Sequence, residues 1–124
     1  MVIGEALAVA SGGALGCLFR YGMEFMPGLS AKPLPVITSN IVGCLLIGVL
    51  SAIFERYEVS AVVSRFFITG LLGGFTTFSA FSLHPVTLMR GGEWLEAVGY
   101  VSISVIGGLA ACALAMFATE RIIN

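Results

Sequence analysis

The stretch that decides how this chain is read is "GGFTTFSAFS", Gly73 to Ser82. Adjacent glycines, adjacent threonines and two serines occur inside one of the most apolar regions of the sequence. A plain aliphatic helix needs none of them. Glycines weaken the helix and the hydroxyls require partners, so the segment predicts a helix that breaks near its middle and lines the break with polar groups and phenyl rings.

Working outward, the surrounding composition places the break in a membrane. Of 124 residues, 58% are hydrophobic and only 10% charged, with a mean hydropathy of +1.04, too little polar surface for a soluble domain. Six basic and seven acidic residues give a net charge of −1, which argues against a nucleic-acid partner. Runs of about 20 apolar residues predict an all-α membrane protein, a single domain of four transmembrane helices at 3–25, 36–54, 65–89 and 94–119. The first run lacks the basic start of a secretory signal and reads as a retained helix. Cys17, Cys44 and Cys112 all lie in apolar runs and read as small packing residues.

Four helices of this length enclose only a thin core, so a polar path calls for a partner copy. Loop charges bear on its orientation. Arg56, Arg65 and Arg121 fall on one side, and Lys32, Arg90 and a snorkelling Arg20 on the other. So even a balance gives insertion almost no preferred direction, and an antiparallel, dual-topology dimer is expected.

The third span carries the site. Nine residues separate Arg65 from Gly74 and nine separate Ser79 from Leu88, which puts the glycine pair near the midplane at about 1.5 Å per residue. Broken helices at that depth persist where their freed groups face protein or a polar cavity. Freed carbonyls take a small cation such as Na⁺, and freed amides at a new helix start take anions. Beyond the break Phe78 and Phe81 share a face, with Ser79 and Ser82 as a neighbouring stripe. Ring edges are electropositive, so edges alternating with hydroxyls favour an anion. Asn40 lies at depth in the second span, and Tyr100 and Ser104 align on the fourth. Every glutamate flanks a span and none occupies its middle. An interior of donors without fixed negative charge suits a small, strongly hydrated anion.

These motifs resemble those of the Fluc (CrcB) fluoride channels over nearly the whole chain: "GGALGCLFRY", "NIVGCLLIG" and, above all, "GGFTTFSAFS". The resemblance implies a fluoride channel of the cell's inner (plasma) membrane, exporting fluoride passively through an antiparallel homodimer of four-helix subunits with two pores. It implies a structural Na⁺ at the dimer interface, bound by the carbonyls of Gly73 and Thr76. Phe78 and Phe81 would line the pores, Asn40, Ser79, Ser82, Tyr100 and Ser104 would donate hydrogen bonds, and Arg20 would draw anions into a vestibule. The chain departs from the family pattern at Val36 and Ala80, where threonine is usual, and at His84, where glutamate is usual. These departures leave room for pairing with a sister subunit, and a cationic His84 would attract anions.

The rival reading, a small dual-topology multidrug exporter, needs a carboxylate inside the membrane, and none is there. An enzyme would have to use Ser82 and His84, which at a separation of two point about 200° apart on a helix.

Overall fold

The computed structural model describes residues 2–124. Among them every regular element is helical: α1 (Ile3–Met23), α2 (Leu34–Tyr57), α3 (Ala61–Ser64), a π-helical segment (Arg65–Leu72), α4 (Gly73–Phe75), α5 (Phe78–Arg90) and α6 (Trp94–Ile123). α1, α2, the composite third span Ala61–Arg90 and α6 are each long and apolar enough to cross a membrane.

Four boundaries lie two or more residues outside the expected ones. α2 opens at Leu34, because Pro33 and Pro35 fit at a helix start, where the missing N–H would be unpaired anyway. It closes at Glu58, whose φ of 47° places it in the left-handed region. The third span begins at Ala61, capped by Ser60, whose hydroxyl accepts the Val63 N–H at 3.4 Å. α6 runs on to Ile123, because Arg121 in the last turn complements the helix dipole.

The spans associate as two parallel pairs. α1 packs along the third span and α2 along α6, whereas α1 and α2, consecutive in sequence, scarcely touch. Small residues make both seams. A Cβ on Gly70 would lie 3.1 Å from the Gly12 Cα, and one on Gly74 would lie 3.1 Å from the Cys17 N. In the other pair, a Cβ on Gly48 would lie 3.1 Å from the Met116 N, and one on Gly108 would lie 3.2 Å from the Cys44 Sγ. Lipid is as apolar as leucine, so close backbone approach is what holds such helices together. At one end an exposed ion pair between Arg65 and Glu5, 3.4 Å apart, ties the start of α1 to the start of the third span, a contact of small energetic weight.

The glycine pair is not where the helix breaks. Gly73 has helical torsions, φ −62° and ψ −35°, and Gly74 is part of the crossing with α1. The interruption falls at Thr76 (φ −88°, ψ 159°) and Thr77 (φ −151°, ψ 126°), both extended. The reason is steric and local: the glycines let two backbones meet, and the threonines have side chains able to replace lost ladder bonds.

Candidate functional site

Side chains and a last regular ladder bond satisfy several groups at the interruption. The Thr76 hydroxyl and N–H both donate to the Leu72 C=O, at 2.8 and 2.9 Å, closing the end of α4. Thr77 caps α5: its Oγ1 accepts the Ala80 N–H at 3.3 Å and lies 3.2 Å from the Ser79 Oγ. Asn40 reaches across from α2. Its Oδ1 accepts the Thr77 N–H at 2.8 Å, and its Nδ2 donates to the Thr77 C=O at 3.0 Å. In an unbroken α-helix the Thr77 N–H would bond to Gly73 and the Ala80 N–H to Thr76. Both donors are diverted, so the Gly73 and Thr76 carbonyls lose their ladder partners together.

Beside the interruption lies a cavity of about 370 Å³ between α2, the third span and α6. It brings together Asn40, Gly73, Thr76, Phe78, Phe81 and Ser104 from the sequence reading. Phe78 is 80% exposed, and its ring centroid lies 5.3 Å from that of Phe81 at an interplanar angle of 40°. Phe81 in turn stacks on Tyr100, at 5.7 Å and 25°. The Tyr100 and Ser104 hydroxyls are buried and have no hydrogen-bond partner among the described residues.

The remaining candidates sit elsewhere. Ser82 donates to its own helix at the Phe78 C=O, 2.9 Å away. Ser79 is exposed, close to the Thr77 cap. Arg20 donates through Nε to the Gly74 C=O at 3.3 Å, another carbonyl at the end of α4. His84 presents its ring to Tyr100, with centroids 4.8 Å apart at 67°. None of these four lines the cavity, and Tyr100 meets it only through Phe81.

Two participants escaped the sequence reading. Thr77 is the hinge of the interruption, and a threonine three residues before Ala80 was a legible helix-start signal. Gly43 is the other: a Cβ there would run into the Thr76 side chain, so this glycine lets α2 come close enough for Asn40 to reach.

The family described as "CrcB-like protein, Camphor Resistance (CrcB)" matches residues 7–116. The chain is 46% identical over 107 residues to the fluoride-specific ion channel FluC of Paracoccus denitrificans, covering 85% of this chain and 86% of that one. It is 43% identical over 109 residues to the protein of that name from Chloroflexus aurantiacus, with 85% and 86% covered. With that from Desulfotalea psychrophila the identity is 39% over 117 residues, 93% and 91% of the two chains. Four membrane-length apolar helices make this a multi-pass membrane protein. With a family match across most of its length and relatives at these identities, the chain belongs to the CrcB-like family.

Proposed function

We propose that this chain is a subunit of a fluoride-selective channel that lets fluoride leave the cytoplasm passively across the plasma membrane, lowering its toxicity. The observation that carries the reading is the pair of buried, unpartnered hydroxyls on Tyr100 and Ser104. Leaving a polar group buried and unpaired costs ~1–3 kcal/mol, a cost sustained where a passing ligand supplies the missing bond. The relatives' name, fluoride-specific ion channel, points to fluoride as that ligand.

In this reading the ring edges of Phe78 and Phe81, the free hydroxyls and the start of α5 favour an anion along the path; Ser79 adds a donor beside it, and Ser82 adds one when its hydroxyl turns from the Phe78 C=O to the anion. An amide nitrogen carries two hydrogens, so Asn40 keeps one for the anion while the other is engaged with Thr77. Arg20 spends one of its five N–H donors on Gly74 and keeps the others to draw anions to a vestibule.

The functional unit is an antiparallel homodimer with its interruption near the membrane midplane. A structural Na⁺ at the interface fits the Gly73 and Thr76 carbonyls, because neutral oxygens at an interrupted helix end are suitable ligands. Gly73 is exposed, on a surface where a second copy could meet it.

Fluoride efflux from liposomes holding the purified protein, read with a fluoride electrode, tests the function. Voltage-driven fluoride flux with little chloride flux supports it, whereas drug-coupled proton exchange would assign the exporter instead. Tyr100→Phe separates function from packing: it removes an unpaired hydroxyl, so thermal stability should hold or rise while fluoride flux falls several-fold. Equal flux would discard the hydroxyl as a pore donor. For orientation, cysteine tags at both termini and in the second loop should label from both faces of the membrane. One-sided labelling rules out the antiparallel pair.

A further inference from the structure

Asn40 is more than a donor beside the cavity. Both polar atoms of its carboxamide meet one residue, Oδ1 on the Thr77 N–H at 2.8 Å and Nδ2 on the Thr77 C=O at 3.0 Å. This two-bond exchange is the pattern of a hydrogen-bonded pair in an antiparallel sheet, and Thr77 has the extended torsions it requires, φ −151° and ψ 126°. The side chain stands in for a strand partner at the one place where the helical ladder lapses. It also takes the N–H that would otherwise satisfy Gly73. Close approach at Gly43, which packs on Thr76, fixes the distance over which the carboxamide must reach.

We propose that Asn40 is a positioning residue. By locking Thr77 it fixes the direction of the Gly73 and Thr76 carbonyls and so sets their affinity for Na⁺. A residue of α2 thereby governs a cation site built on the third span, and one side chain joins that site to the anion-lining cavity. The inference rests on the sodium reading above. Only a side chain of this length with an acceptor and a donor makes both bonds. Aspartate keeps the acceptor alone, and serine is too short for either.

The test uses full-length protein. Fluoride efflux from liposomes is measured across a Na⁺ series balanced with N-methylglucamine, and deuterium exchange of the peptide containing Thr77 is followed in Na⁺-free detergent. Asn40→Ser should speed exchange at Thr77 and raise the Na⁺ midpoint by about 10–100-fold, the usual cost of losing a residue that orients metal ligands. Asn40→Asp keeps the acceptor but turns the donor into a second oxygen facing the Thr77 C=O, so it too should speed exchange at Thr77 and raise the Na⁺ midpoint. If Asn40→Ser does not assemble, Asn40→Asp still decides, because a folded Asn40→Asp with wild-type exchange and a wild-type Na⁺ midpoint overturns the clamp. A folded Asn40→Ser with wild-type exchange, or with a wild-type Na⁺ midpoint, also overturns the proposal. Wild-type flux indifferent to Na⁺ is a different failure: it removes the sodium reading itself, and this inference with it.

Discussion

Phe78→Ile and Phe81→Ile should each cut fluoride flux by at least about tenfold while leaving the subunits assembled. Isoleucine keeps apolar bulk but has no electropositive edge. Losing ~1.5 kcal/mol of interaction with a ring is worth about a factor of ten in rate. Phe78, 80% exposed, has little packing to lose. Phe81, stacked on Tyr100 at 5.7 Å, has more, so its variant should also melt at a lower temperature. Liposome efflux and size-exclusion chromatography read the two effects separately. Wild-type flux in both variants would return the rings to packing.

An equally large effect, on assembly, is expected from a single methyl group. In Gly16→Ala the new Cβ would lie 2.7 Å from the Phe75 N and closer still to the Leu71 C=O. These are backbone atoms and cannot swing aside, so α1 must move off the third span. Overpacking usually costs ~1–3 kcal/mol, and this seam lacks a flexible side chain to absorb it. Gly16→Ala should therefore lose most of its folded protein. Gly4→Ala and Gly99→Ala are the controls: their Cβ atoms meet nothing within 4 Å, and alanine favours a helix over glycine by about 1 kcal/mol. Thermal melts of the three variants check the claim. A Gly16→Ala protein that melts like the wild type would mean the seam is not closely packed.

The sequence reading succeeded where composition decides and stopped short where three-dimensional pairing decides. Long apolar runs located all four spans, because each stays predominantly apolar over about 20 residues even where glycines and hydroxyls intervene. Their ends were less legible. Pro33 and Pro35 look like loop residues until the tolerance of a first helical turn for proline is considered, and "ERIIN" looks like a terminus although the helix continues through it. The "GGFTTF" stretch announced an irregularity but not its position, since glycine permits both a break and a close crossing, and only contact with α1 shows which one Gly74 serves. Asn40 was legible as costly at depth. That its carboxamide meets Thr77, far along the chain, depends on how α2 lies against the third span, and no local pattern encodes that.

The parallel pairing of first with third and second with fourth spans bears on how the protein is made. Translation proceeds at about 5–20 residues per second, so α1 enters the bilayer seconds before its glycine-matched neighbour has been synthesised. α2 must likewise wait for α6. A nascent chain paused after its second span holds two helices that scarcely touch in the finished fold, each with its seam unfilled. Stable structure cannot accumulate hairpin by hairpin, because every close seam joins residues distant in sequence. Premature termination anywhere before α6 should leave unpaired segments for membrane quality control to remove, because α6 completes both the second seam and the cavity wall carrying Ser104.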